Sequence, residues 1–343
     1  MRTFSRAAAD IAAIASLAAA QPSGGSAATN LLSRVKVRSQ SGYENLTLFP
    51  LVGPASTYFS YALLDEAISS GQVKVQEKDG GQVNTVRVKN TGKTYVFGMA
   101  GEIVSGAKQD RMLQNDVLLP PGSGWLDVPV YCTEHGRWTG SSMSFGTKGY
   151  VASGAVRKRA AETQSQEEVW AEVDAAHAGL GVTTSSRAFA KVYEDKAAQE
   201  QAKPYYDKLD RLPDFSPNAL GVVVAVGNRI VCVDAFGSPA LFRKMWPKLL
   251  RSYVIDAMQS RPEGRIGQKQ VQQFVDDASR VEVTDQPTVG AGRLQRLSAR
   301  NASGSALVFR SSVVHLDLFP GANYQTDNGS VPRLDFRRQR TLH

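Results

Sequence analysis

The sequence predicts an α+β fold: a strand-rich N-terminal half, a helical middle and a mixed strand and helix C-terminal part in one large domain. Three observations carry that expectation. Between residues 73 and 100 the short alternating runs VKVQE, NTVRVKN and KTYVFGMA are separated by the turn-forming strings DGGQ and NTGK. Residues 156–203 are instead rich in Ala, Glu, Gln and Lys, the composition of helices. Further on, two β-branched runs flank Gly227-Asn228, a hairpin signature. Strand and helix never alternate strictly, which argues against a doubly wound parallel sheet.

Taken in order, residues 1–42 are expected to be a leader and linker, the leader ending at the Gly/Ser-rich PSGGSAATN (22–30). Arg2 and Arg6 precede the weakly apolar IAAIASLAAA, so a weak signal peptide is one reading. Asp10 at its mouth and the poor hydrophobicity of alanine favour the other, an Ala-rich leader on a cytoplasmic protein. The folded part is expected to start near Tyr43. LTLFPLV (46–52) has a strand pattern, and TYFSYALLDEAISSG (57–71) the mixed periodicity of a helix stopped by Gly71. LQNDVLLPPGSG predicts an extended run closed by Pro-Pro-Gly, and WLDVPVYC a strand. The helical middle breaks near GLGVTTSS. After the hairpin, residues 238–260 form an amphipathic helix with Pro239 near its start and Phe242, Met245, Trp246, Leu249, Leu250, Tyr253 and Ala257 on one face. VQQFVDDASR predicts a shorter helix, and VEVTDQP, GRLQRLSAR, SALVFRS and VVHLDLF the closing strands. Residues 321–343 remain as a basic tail.

A net charge of +8 first suggests a nucleic-acid partner, but its location argues otherwise. Residues 1–38 hold five basic residues against one acidic (+4), and residues 333–343 four against one (+3), leaving +1 for everything between. Apart from Arg157-Lys158-Arg159 that central part offers no basic cluster of the kind phosphate contacts need, so nucleic acid is not favoured. No segment reaches the roughly 18 apolar residues of a membrane span. Two cysteines, Cys132 and Cys232, exclude a disulfide scaffold and a four-cysteine zinc site. The four histidines show no metal-ligand spacing, so no metal site is expected, and no cofactor is indicated.

The chemistry concentrates in residues 101–138. If KTYVFGMAGEIVSG is one strand, Glu102 shares a face with Val96, Gly98, Ala100 and Val104, a carboxylate on an otherwise small and apolar face. Desolvation there raises a carboxyl pKa unless a cation answers it, and Lys108 and Arg111 follow at once, with Gln109 and Asp110 between them. In DVPVYCTEHGRW, Val128, Val130, Cys132 and Glu134 share a face in the same way, followed by His135 and Arg137. Two carboxylates beside basic groups suit general acid–base hydrolysis, and they suit a structural ion-pair network nearly as well. A Cys132–His135 nucleophilic pair is opposed by geometry, since on a straight strand the two side chains face opposite ways. Trp138 suits a stacking platform for a sugar or base, or a rim aromatic.

YENLTLFPL (43–51), LLDEA (63–67), AGEIVSGAKQDRML (100–113), LLPPGS (118–123) and VPVYCTEHGRW (128–138) together resemble the bacterial ARG and rhodanese-phosphatase-superfamily-associated protein domain, over about residues 43–320. GVVVAVGNRIVCVDAF and the helix with Trp246 resemble it more loosely. The matching positions are Glu102, Gly106, Lys108, Gln109, Arg111, Cys132, Glu134, Gly136, Arg137 and Trp138. The resemblance implies no assigned activity; the family's association with ADP-ribosylglycohydrolases implies a link to ADP-ribose or related metabolites. The resulting expectation is a domain that binds or hydrolyses a phosphorylated ribosyl metabolite such as ADP-ribose. Glu102 and Glu134 are the expected acid–base groups, and Lys108, Gln109, Asp110, Arg111, Cys132, His135, Arg137 and Trp138 the expected ligand-binding set. The alternative is a non-enzymatic interaction module in which the same residues form a structural polar network.

Overall fold

The computed structural model describes residues 26–321 apart from Tyr58, residues 138–141 and Arg261. Among the described residues the first element lies upstream of Tyr43: helix α1 (Ala27–Arg34). Ser26 caps it by accepting from Thr29 N, and Ala28, Leu31 and Leu32 are buried. The Gly/Ser composition before it suggested a linker throughout, but Ser26 followed by apolar residues at helical spacing is a helix start. Strands β1 (Lys36–Val37), β2 (Ser41–Tyr43) and β3 (Leu46–Val52) follow.

The helix expected over residues 57–71 is shorter than that. Strand β4 (Ala62–Leu63) lies inside it, and among its described residues α2 (Leu64–Ser69) is the helical part, followed by Gly71 at φ 72°. The aromatic string before it favours extended backbone, and Ala62 N–H donates to Tyr95 O rather than to a helical turn. Next come β5 (Val73–Glu77), β6 (Thr85–Asn90), β7 (Val96–Gly98), β8 (Glu102–Gly106), β9 (Arg111–Leu113), β10 (Val117–Leu119), β11 (Leu126–Cys132) and β12 (Ser144–Val151). Six of them close into a barrel in the order β11-β6-β5-β12-β8-β9, while β10-β7-β4 form a separate small sheet. Val75, Val86, Val88, Val104, Val128 and Val130 fill the barrel, and α2 covers one end with Leu64 and Ala67.

The strand expected over KTYVFGMAGEIVSG is therefore two strands in two sheets. Gly101 (φ 89°) and a Glu102 N to Met99 O bond of 3.0 Å make the turn between them. The two-residue period that put Glu102 on the face of Val96 does not survive that turn.

The helical middle consists of α3 (Gly154–Thr163), α4 (Gln166–Leu180), α5 (Ala190–Glu194), α6 (Lys196–Leu209) and α7 (Leu212–Phe215). Its break falls at Gly181, the left-handed cap of α4. The rest of the chain is the hairpin β13 (Ala219–Val226) and β14 (Arg229–Phe236), helices α8 (Pro239–Gln259) and α9 (Gln268–Ala278), and strands β15 (Glu282–Gln286), β16 (Arg293–Ser298), β17 (Ala302–Phe309) and β18 (Ser312–Pro320). A nine-stranded sheet runs β1-β3-β13-β14-β18-β17-β16-β15, with β2 paired to β3. Both of its faces are covered, which explains why β13 is buried at every position. Val222, Val224 and Val226 meet α6 and α8 on one face, where the expected apolar stripe of α8 packs. Leu220, Val223 and Ala225 meet α1 and α9 on the other. Among the described residues no helix is long and apolar enough to cross a membrane.

Candidate functional site

The ionisable residues of 101–138 do not converge on one cleft; they divide between the two ends of β8. Glu102 opens the strand and Gly106 closes it, and four residues of strand span about 13 Å. At the first end Glu102 is 2% exposed. Its Oε2 accepts from Met99 N at 2.9 Å, and its Oε1 meets Lys248 Nζ of α8, which also pairs with Asp65 Oδ1 of α2 at 2.7 Å. Burial raises the Glu102 pKa, and Lys248 only partly counters it. The trio ties α8, α2 and β8 together.

At the other end Glu134 is held by Arg137, with Nη2–Oε2 at 2.6 Å and Nε–Oε1 at 2.9 Å. Arg137 also donates to Ala107 O (2.8 Å), and Asp110 N donates to Glu134 Oε2 (3.0 Å). Asp110 in turn accepts from Gly106 N and Ser105 Oγ. The loop between β8 and β9, with Ala107 in the left-handed region, is clamped by these bonds. Beside it, fully buried Arg111 faces Glu77 at 3.6 Å and donates to Gln109 O and Oε1, while Cys132 Sγ donates to Gln109 Oε1. Burial pushes the Cys132 thiol up to about 11, the opposite of an activated nucleophile. Lys108 Nζ is turned to Gly80 O, and exposed His135 stacks on Trp170 at 4.3 Å. Trp138 lies outside the described residues.

A different set of polar side chains gathers on the face of the large sheet that packs against α3 and α8. Arg157 of α3 holds Asp234 of β14 through two bonds of 2.8 Å, Nη1 to Oδ1 and Nη2 to Oδ2. Gly101 makes room for it: a Cβ there would lie 2.5 Å from the Arg157 stem. Tyr253 of α8 donates its hydroxyl to Asp234 Oδ2 at 2.6 Å. His315 of β18 stands between two carboxylates, Nδ1 to Asp116 Oδ2 at 2.8 Å and Nε2 to Asp234 Oδ1 at 3.3 Å. Asp116 is itself fixed by Ala100 N–H. Asp317, two residues beyond His315 and opposite Asp234, accepts from Ser305 N (2.7 Å) and Oγ (3.1 Å).

The electrostatics separate these groups. Burial raises the pKa of Asp234, but Arg157 and His315 outweigh it and hold the carboxyl far below the usual range. Burial lowers that of His315, yet Asp116 and Asp234 carry it up to about 10, so the imidazole is protonated at neutral pH. Asp317 forms no ion pair among the described residues. Burial pushes it up, His315 and Arg157 pull it down, and Asp116 and Asp234 push again, to about 6.

Asp317 and Arg157 both line a cleft of about 400 Å³ between the barrel, α3 and strands β16–β18. Its walls include Leu113, Tyr131, Leu294 and Gln295. Segment 101–138 thus contributes to the cleft, through Gly101, residues 112–115, Pro129 and Tyr131, while none of the expected acid–base or ligand-binding residues lines it. Sequence reasoning missed Asp234 and Asp317, and saw Arg157 only in a basic triplet and His315 only as a histidine without metal spacing. The available signal was polar residues at one-face spacing inside apolar strands: His315 and Asp317 in VVHLDLF, and Asp234 in RIVCVDAF. Among the described residues no group of three or more His, Cys, Asp or Glu side chains is arranged to hold a metal ion.

The order of the strings GEIVSGAKQDR, VPVYCTEHGRW and GVVVAVGNRIVCVDAF runs through the whole of this fold, and a family model matches residues 34–319. The chain belongs to the ARG and Rhodanese-Phosphatase-superfamily-associated Protein domain family. The match starts at the end of α1 and ends in β18, so it takes in both barrel and sheet. No curated protein and no solved structure matches the chain.

Proposed function

We propose that this domain binds and hydrolyses a phosphorylated ribosyl metabolite such as ADP-ribose in the cleft lined by Arg157 and Asp317, with Asp317 as the proton-transfer group. The observation that carries the reading is a carboxyl of pKa about 6, buried and in no ion pair among the described residues, on the wall of a cleft of metabolite size. Such a group is divided between acid and base near neutral pH, which is what general acid–base catalysis requires. Its neighbours are fixed: Ser305 orients it, and the Arg157–Asp234–His315–Asp116 chain sets its charge environment. The ribosyl ligand class is suggested by the family's association with ADP-ribosylglycohydrolases.

The acid–base roles expected of Glu102 and Glu134 pass to Asp317 in this reading. One observation favours the non-enzymatic alternative for those residues: the Glu134–Arg137–Asp110 bonds are mutually saturated and clamp a loop. We take that cluster as structural.

The test is calorimetry with ADP-ribose on the wild type, Asp317→Asn and Arg137→Ala, with chromatography of the incubated mixtures for hydrolysis products. Binding by all three, with product formation lost only in Asp317→Asn, is the expected outcome. Absence of heat from the wild type would sink the ligand, and undiminished turnover by Asp317→Asn would sink the residue's role.

A further inference from the structure

A second concavity lies away from the cleft, at the other end of β18. Asp317 stands five residues along that strand from its first residue, Ser312, about 17 Å. Near that first residue Ala55, Phe59, Tyr61, Ala240 and Leu241 line a mostly apolar pocket of about 200 Å³. A pocket below the roughly 300–1,000 Å³ of metabolite sites suits one large side chain rather than a whole small molecule. Its rim is already fixed. Ser56 N and Thr57 N donate to Gly237 O at 2.8 and 3.2 Å, and Phe59 N donates to Thr57 Oγ1 at 3.1 Å. Ser312 Oγ donates to Ser56 O at 2.5 Å.

Phe59 is 42% exposed, and Arg310 stands over its ring with the guanidinium carbon 4.8 Å from the centroid. The same carbon is 5.2 Å from the Phe309 centroid, and Tyr95 packs on Phe309 at 5.0 Å. Two rings thus hold the guanidinium in place. Arg310 is exposed and makes no hydrogen bond or ion pair among the described residues, so its five N–H donors are open to a partner. The backbone beneath it is strained. Arg310 and Ser311 form the two-residue turn between β17 and β18, at φ 48° and 63°. Such turns favour Asn-Gly, because residues with larger side chains resist the left-handed region. Strain kept at an exposed tip points to use of the side chain it presents.

Charge sets the partner. The pocket's own cation, Lys244, is engaged: Nζ donates to Tyr61 O at 3.3 Å and lies 3.8 Å from Glu66. Arg310 remains as one unanswered positive charge beside an apolar pocket. A carboxylate matches its planar fork with two parallel bonds, whereas a phosphate dianion calls for a cluster of cations.

We propose that the Phe59–Arg310 surface docks a segment of another protein in which a bulky apolar side chain stands beside Asp or Glu. The apolar side chain fills the pocket, and the carboxylate takes the Arg310 guanidinium at the Phe59 ring. Docking here is independent of the ligand of the cleft.

An array of short peptides in a Gly-Ser background, probed with the full chain, tests this. Each peptide carries Leu, Phe, Trp or Ala next to Glu, Ser, Lys or phosphoserine. Those pairing a bulky apolar residue with Glu are expected to retain the chain, and the Ala and Lys sets are not. Fluorescence polarisation of the best labelled peptide then compares wild type with Phe59→Ser, Arg310→Gln and Arg310→Glu, each checked by its melting curve. Every substitution is expected to weaken binding at least about tenfold, as for a central aromatic or arginine anchor. Arg310→Glu is expected to bind the matching Lys peptide instead. Equal binding by wild type and Arg310→Gln, a preference for phosphoserine, or no retention of any peptide would overturn the proposal. So would self-association of the wild type that is lost in Phe59→Ser, which assigns the surface to a second copy of the chain.

Discussion

Asp234 and Asp317 are directly opposite each other on β14 and β18, and they are held at opposite ends of the carboxylate range. Arg157 and His315 converge on Asp234 and keep it ionised, whereas Asp317, beside the same cations but held by Ser305, titrates at about 6. A pair of like groups with separated pKa values is the arrangement that assigns acid–base roles.

Replacing Asp317 by Asn tests that separation through stability. The folded-state pKa of about 6 lies above the unfolded value of roughly 3.9. The folded state therefore binds the proton more tightly, stability falls as pH rises from about 4 to about 6, and the deficit persists above that window. A gap of that size between folded and unfolded values corresponds to at most about 3 kcal/mol. Asp317→Asn is expected to be more stable than wild type by about 1–3 kcal/mol in urea unfolding at pH 8 and equal to it near pH 4. A variant less stable than wild type at pH 8 would show that the ionised carboxylate is favoured.

Arg157→Met removes one of the two cations on the buried Asp234 and leaves it with His315, which is shared with Asp116. Breaking one side of a buried pair leaves an uncompensated charge, at about 3–5 kcal/mol. Adding Asp234→Asn to it is expected to restore part of the loss, because the orphaned charge is gone. Chemical denaturation of both variants measures this, and a double variant worse than the single one would contradict the electrostatic cause.

Arg137→Ala distinguishes the loop clamp from the cleft. Arg137 is partly exposed and donates to Glu134 and Ala107 O, so its loss is expected to lower stability by about 1–2 kcal/mol. ADP-ribose affinity should stay within about twofold, since the clamp lies at the far end of β8 from Glu102 and lines no part of the cleft. Loss of binding in this variant would return the site to residues 101–138.

The sequence made the fold legible where local signals were strong and failed where long-range pairing decided. The Gly227-Asn228 hairpin, the α8 face and the strand LTLFPLV all follow from periodicity and turn chemistry. The turn at Gly101 does not, because a left-handed glycine inside an apolar run looks the same as a continuous strand. The ionisable residues of 101–138 stood out because they are adjacent in sequence, and adjacency is what lets them satisfy each other in a tight loop. Arg157, Asp234, Asp317 and His315 come from three distant elements, and their convergence depends on the order β14-β18-β17, which no local pattern encodes.

Lys248→Met addresses the other end of β8. Lys248 is 4% exposed and is the cation between Glu102 and Asp65. Glu102 already has a raised pKa, caused first by burial, and losing Lys248 raises it further. At neutral pH the variant must either bury an unpaired carboxylate or take up a proton, and the loss is expected to be about 3–5 kcal/mol. An acid whose folded pKa is raised is relieved as pH falls, so the gap to wild type should narrow towards pH 5. Lys248→Met combined with Glu102→Gln should show a smaller loss and little of that pH dependence. Urea unfolding of wild type and both variants between pH 5 and pH 8 measures the trend, and a gap that widens in acid would mean that Lys248 acts through packing rather than through the Glu102 carboxylate.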